Sequence, residues 1–130
     1  MIILDTHIWV WWSGENSQLT DEYADVIRSK QAEGIGISSI SCWEIAQLFA
    51  KDRLSLSEPV LRWLELSLAL PNVILLPLSP RIAVESYKLP GDFHKDPADQ
   101  IIVATARVYD CELITYDSKI LKYPHVKLLP

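Results

Sequence analysis

Strand-length apolar runs recur along this chain at Ile2–Leu4, Ile35–Ile37, Val73–Leu78, Leu113–Tyr116 and Val126–Leu129, and helical patterns fill the stretches between the first four. No two-residue hairpin signal such as Asn-Gly folds one run back on the next. Runs joined by helices rather than tight turns must pair in parallel, with the helices covering both faces of the sheet. An α/β three-layer sandwich with four to five parallel strands is therefore expected. All 130 residues belong to one domain, because no linker, repeat or charge block interrupts the alternation, and a chain of this length buries a real core without staples.

The helices carry their own punctuation. Thr20 caps a segment with Asp21 and Glu22 in its first turn, Tyr23 and Ile27 on one face, Arg28 and Lys30 late, and Gly34 as a stop. Ser41 and Glu44 have capping-box spacing, with Ile45, Leu48 and Phe49 as a buried stripe and Glu44, Gln47 and Lys51 on another face. Pro59 opens a third helix with Val60, Leu61, Leu64 and Leu68 inward. Ser79 and Pro80 start a fourth through Tyr87, and Asp96 with Pro97 start a fifth to about Tyr109.

Composition narrows the function classes. Seventeen Asp and Glu against twelve Lys and Arg leave a net charge of -5, which argues against holding nucleic acid by phosphate neutralisation and predicts no specific DNA binding by the chain alone. No apolar run approaches the ~20 residues that cross a bilayer, and Met1–Asp5 lacks a basic leader, so a cytoplasmic location without a membrane is expected. Cys42 and Cys111 have no metal-type pairing and are expected to be small buried hydrophobes.

In an open parallel sheet the functional crevice lies beyond the carboxyl ends of the strands. Asp5 ends the first run, Glu44 lies early in the helix after the second, Asp96 and Asp99 open the fifth helix, and Asp117 follows the fourth run. Each has a structural alternative: Glu44 as part of a capping box, Asp96 as an N-cap, Asp99 as a partner of the helix dipole, Asp117 as a turn residue. Asp5 fits such a role worst, since an acid directly after a buried strand needs a cation or a partner. Carboxylates converging from separate elements repel by ~4 kcal/mol per pair at ~4 Å and an effective dielectric of 20, which implies a bound cation. All-oxygen ligands suit Mg2+ or Mn2+ over Zn2+.

Together these residues resemble the PIN-domain ribonucleases, and within them the VapC-type toxins of toxin-antitoxin pairs. The likeness begins at Leu4–His7, continues through Ser38–Ile45 with Ser41, Trp43 and Glu44 and then Asp52–Leu54, is most specific over His94–Ala106, and closes with Leu113, Ile114, Thr115 and Asp117. It implies a PIN-like sandwich and a metal-dependent endoribonuclease that leaves a 5'-phosphate and a 3'-hydroxyl. Asp5, Glu44, Asp99 and Asp117 match the family's acidic quartet, with Asp96 a frequent companion. Asp5 and Asp99 are expected as direct metal ligands, and Glu44 or Asp117 as the group that orients water or a second metal. Thr6 and Thr115 offer further hydroxyl contacts or satisfy local backbone. Gln100 and Tyr116 depart from the family, standing where Arg and a basic residue are common. A cognate antitoxin and a homodimer are the implied partners, with RNA as substrate.

Trp9, Trp11 and Trp12 crowd the segment Ile8–Trp12, which is apolar on every face, so part of that area is expected to meet a partner, with core packing the alternative. His7 and His125 are expected to be structural, while His94 with Lys95 lies beside the acids within reach of a phosphate. A haloacid-dehalogenase-like phosphatase needs an acid where His7 stands, and a receiver-like domain needs a phosphorylatable Asp after Val73–Leu78, where Ser79 stands instead. A non-catalytic metal-binding or protein-interaction module on the same fold is the remaining alternative.

Overall fold

The computed structural model describes residues 1–15 and 17–129. Four strands, β1 (Ile2–Leu4), β2 (Ile35–Ser38), β3 (Val73–Leu76) and β4 (Glu112–Ile114), form one sheet in the order β3-β2-β1-β4. Every pairing is parallel: Leu4 lies opposite both Ile37 and Ile114, and Ile37 opposite Leu75. The run Val126–Leu129 does not become a fifth strand. It reaches the sheet only through a single bridge from Leu128 to Leu113, so the lower bound of the expected strand number holds.

Among the described residues seven α-helices cover the sheet: α1 (Thr6–Trp12), α2 (Asp21–Lys30), α3 (Ser39–Ala50), α4 (Val60–Leu68), α5 (Pro80–Tyr87), α6 (Pro97–Tyr109) and α7 (Ser118–Leu121). Alternation along the strands divides the interior into two cores. Ile2 and Leu4 of β1, Ile35 and Ile37 of β2 and Ile114 of β4 pack on Ile8, Trp9, Ile27, Ile45 and Trp63 from α1 to α4. The intervening Ile3 and Leu113 face Ile102, Val103, Ala106 and Ile120 from α6 and α7. A strand buried on both faces has no polar positions to spare, which is why these runs read as continuous apolar sequence.

Gly36 is the one strand residue without a side chain on the α6 side. A Cβ there would meet Leu76 Cδ1 at 2.8 Å and Ile3 Cγ1 at 3.1 Å, so this glycine lets three strands and their side chains close. Gly34, at φ +104°, ends the 3-10 turn Gln31–Glu33 and turns the chain into β2, which is the expected stop one turn later than the end of α2.

Local chemistry explains where sequence patterning slipped. The helix carrying Glu44 starts earlier than its capping-box spacing implies: Ser38 is the N-cap, accepting from Ile40 N at 3.3 Å, and Ser41 sits buried inside α3. Phe49 is exposed rather than part of the buried stripe, leaving Ser41 and Ile45 inward with Leu48 half-buried. In α4 the inward positions are Trp63 and Ser67 flanked by half-buried Val60, Leu64 and Leu68, while Leu61 is 67% exposed. Trp63 takes that place because its indole packs on Trp9, ring centroids 5.2 Å apart. Trp9 is fully buried and Trp11 and Trp12 are half-buried against the same core, so the segment offers a partner less surface than its composition implies. The tryptophan that stands out into solvent is Trp43. Both cysteines are unpaired and half-buried rather than buried. No helix among the described residues is long and apolar enough to cross a membrane.

Candidate active site

Strand order reverses direction at β1, with β2 and β3 to one side and β4 to the other, and the crevice opens above the carboxyl ends of β1 and β4. A cavity of about 210 Å³ lies there, lined by Asp5, Thr6, His7, Glu44, Asp96, Asp99, Ile102 and Asp117. The five acids expected from the sequence thus line one cavity, although they come from four separate stretches of chain. No lysine or arginine lines it among the described residues.

Four of the five acids are held by the start of a helix or by a hydroxyl. Asp5 follows β1 and caps α1, its Oδ1 accepting from Ile8 N at 3.0 Å. Its other oxygen accepts from the Thr115 hydroxyl, and Thr115 Oγ1 also accepts from Asp117 N at 2.9 Å, so one buried threonine ties the ends of β1 and β4 together. Glu44 accepts from the Thr6 hydroxyl. Ser41 Oγ lies 2.9 Å from Thr6 Oγ1, and because Thr6 has one proton to give, Ser41 donates to it and completes a relay from α3 back to α3. The sequence flagged both threonines as local or hydroxyl contacts; in the fold they orient the two most buried acids.

Asp96 is the N-cap of α6, its side chain accepting from Asp99 N at 3.0 Å, and Asp117 is the N-cap of α7, accepting from Lys119 N at 2.9 Å and Ile120 N at 3.1 Å. The structural alternatives for these two are thus real, but they do not remove the carboxylates from the cavity. A carboxylate offers about four acceptor sites, and a cap uses one or two.

The electrostatics follow from this crowding. Asp99 is pushed up from 3.8 to about 7, first by burial and then by the charges of Asp96, Asp117, Glu44 and Asp5. Burial also raises Asp5 and Glu44, partly opposed by their hydrogen bonds from Thr115 and Thr6. Acids that resist ionisation together, with no lysine or arginine between them, suit a divalent cation.

His94 is the member that residue spacing missed. Its Nε2 stands 2.9 Å from Asp99 Oδ2, off the line a hydrogen bond requires, and its ring joins Asp99 and Asp117 in a trio whose ligating atoms all lie within 4.8 Å of one another. Phe93 packs on that ring at 4.6 Å, and Gln100 donates to the His94 carbonyl at 3.1 Å, fixing the loop over the start of α6. The expected pair of direct ligands, Asp5 and Asp99, is therefore not the tightest grouping: Asp5 lines the same cavity but lies outside the trio. His7, expected to be structural, is exposed at the cavity edge with its ring 5.9 Å from that of Trp11. His125 does pack structurally, edge-on to Tyr123. Tyr116, one of the departures from the family, packs between Trp11 and Tyr23, which places an aromatic ring where a cation is common.

Comparison with known proteins identifies the family. The family model described as PIN domain matches residues 2–126. Ribonuclease VapC22 of Mycobacterium tuberculosis is 34% identical over 124 residues, covering 95% of this chain and 92% of its own length. Among solved structures, VapBC2 from Rickettsia felis, bound to a DNA fragment from its promoter, aligns with a TM-score of 0.72 at 20% identity over 99% of this chain and 98% of that one. FitAcB from Neisseria gonorrhoeae aligns at 0.69 with 21% identity over 100% of this chain and 97% of the other, likenesses that speak for the fold. With a family match across nearly the whole chain and the parallel sheet to go with it, the chain belongs to the PIN domain family and, within it, is similar to a VapC ribonuclease.

Proposed function

We propose that this chain is a metal-dependent endoribonuclease that hydrolyses RNA phosphodiester bonds with Mg2+ or Mn2+, and that it serves as the toxin of a toxin-antitoxin pair. The observation that carries the reading is the convergence of five carboxylates on one cavity that no lysine or arginine lines among the described residues. The residues that would hold the cation are Asp99 and Asp117, with His94 beside them and Asp5 and Asp96 on the same wall. A bound divalent ion supplies Lewis-acid stabilisation of charge on phosphoryl oxygens. Thr115 holds the Asp5 carboxylate in one rotamer, and Ser41 and Thr6 hold Glu44. Glu44, raised by burial and held by Thr6, is suited to accept a proton from an attacking water. That cleavage leaves a 5'-phosphate and a 3'-hydroxyl.

An antitoxin partner is supported by the similarity to VapC22 and by structural neighbours described as toxin-antitoxin complexes, such as one from Klebsiella pneumoniae at a TM-score of 0.63. Apolar residues left in solvent, among them Leu61 and Val84, give a protein partner or a second copy of the chain something to cover. A cytoplasmic location follows from that role. The test is cleavage of end-labelled single-stranded RNA by the purified chain in Mg2+, in Mn2+ and in EDTA, with Asp99→Asn alongside. Metal-dependent cuts that vanish in the variant support the proposal. RNA or metal binding without any cut identifies a non-catalytic module instead.

A further inference from the structure

A second groove, of about 340 Å³, opens beside the acidic cavity and shares Glu44 and Asp96 with it. Its floor is one face of α3: Ile40, Trp43, Glu44 and Gln47 follow the i, i+3, i+4, i+7 spacing of a single helical stripe, while Ser41 and Ile45 turn inward. Pro97 and Ala98, in the first turn of α6, form the opposite wall. Trp43 is 56% exposed, the only tryptophan of the chain left broadly in solvent among the described residues. An indole held in water forfeits the burial that aromatic side chains otherwise gain, and here it does so next to the acidic cavity.

We propose that this groove is a nucleobase subsite, in which a base flanking the scissile phosphate of a single-stranded RNA stacks on Trp43. The inference rests on the ribonuclease reading above and extends it to substrate contacts. Continuity favours this occupant: Glu44 and Asp96 line both cavities, so a strand whose phosphate sits over the acids can carry a neighbouring nucleoside directly toward Trp43. The walls are chiefly apolar and the rim is acidic, which repels a phosphate and accepts the uncharged face of a base. Unpaired bases stack on aromatic side chains with little dependence on sequence. Gln47, one turn beyond Trp43, presents an amide that both donates and accepts, which is the equipment for reading a base edge. Its volume suits one such group, at the lower end of the range for small-ligand sites.

The test compares an RNA oligonucleotide that the parent protein cuts at one bond with versions of it carrying an abasic ribose on either side of that bond. Removing the base that occupies the groove should lower kcat/KM of the parent about tenfold or more. Trp43→Ala should lose a similar factor on the intact oligonucleotide and nothing further on the abasic one, whereas Trp43→Phe should keep most of the parent's rate. A parent that cuts no RNA at all removes the ribonuclease reading. A parent that cuts, with Trp43→Ala equal to it on every oligonucleotide, overturns the subsite alone. Should that variant cut normally but escape inhibition by a protein partner, the groove is a protein-docking face and the proposal likewise fails.

Discussion

Replacing Asp99 with Asn should make the metal-free protein more stable while abolishing its activity, the opposition of sign expected of a crowded cation site. A carboxyl held at about 7 instead of 3.8 favours its neutral form by about 4 kcal/mol. The side chain is 21% exposed, so solvent screening reduces the repulsion relieved by Asn to ~2 kcal/mol. At this chain length 1 kcal/mol moves Tm by roughly 4 °C, so the variant should melt ~8 °C above the parent in EDTA at pH 8.

The pH dependence carries the same sign. Folding raises the pKa of Asp99, so folding takes up a proton, and the stability this contributes is complete below 3.8 and is lost as pH rises through about 7. The gap between variant and parent should therefore narrow as pH falls from 8 to 5, and close only below 3.8, where Asp99 is neutral in the unfolded chain as well. Scanning calorimetry in EDTA at pH 5, 6, 7 and 8 reads both effects. An Asn variant that melts at or below the parent at pH 8, or a gap that does not change with pH, refutes the reasoning.

Added Mn2+ should reverse the order: at a concentration 100 times its Kd a native-state ligand stabilises by ~2.7 kcal/mol, and thermal melts of Asp99→Asn and Asp5→Asn should show little of this gain. Thr115→Val leaves one buried oxygen of Asp5 without its donor and should cost ~1–3 kcal/mol in urea unfolding, with RNA cleavage falling in parallel. Gly36→Ala drives a methyl into Leu76 and Ile3 and should destabilise by ~1–3 kcal/mol without changing the residual activity of the folded fraction, checked by chemical denaturation. Trp11→Ala should weaken binding of a protein partner by ~2 kcal/mol or more with cleavage intact if its exposed part meets that partner; calorimetric titration against wild type measures it, and unfolding of the variant assigns the ring to the core.

What the sequence makes legible is what is set by period and end chemistry. Doubly buried strands such as Ile2–Leu4 announce themselves as apolar runs, and the caps Thr20, Ser79 and Asp96 stand where the helices they predict begin. Features that depend on which of two plausible neighbours wins are not legible. Ser38 and Ser41 both offer a capping hydroxyl; the sheet decides for Ser38, because β2 ends there, and Ser41 is freed to meet Thr6 across 35 positions of chain. Leu61 and Trp63 both fit an inward stripe, and the larger ring takes it by finding Trp9. Val126–Leu129 has strand composition, yet beside β4 it finds only a single bridge. The acids were visible because strand ends and helix starts are local. His94 was legible as a neighbour of the acids but not as a partner of Asp99, since that approach depends on the loop that Phe93 and Tyr123 pin, ring centroids 4.8 Å apart.

The capping and chemical roles of these acids are one arrangement. A cap must lift its carboxylate toward the free N–H groups of a first helical turn, and in a parallel sheet those first turns begin at the carboxyl ends of the strands. Asp5, Asp96 and Asp117 each satisfy such a turn, so each arrives at the crevice in a fixed rotamer with lone pairs still open to the cavity. Capping stabilises each helix by about 1 kcal/mol, which helps offset the repulsion of gathering the acids. Asp99 and Glu44 cap nothing: Asp99 stands inside the first turn of α6 and Glu44 within α3, and both are displaced upward in pKa by burial and by their neighbours. Asp96 and Asp117 build the frame as caps at low cost, while Asp5, which caps but is buried, joins Asp99 and Glu44 in concentrating the strain that a cation would relieve.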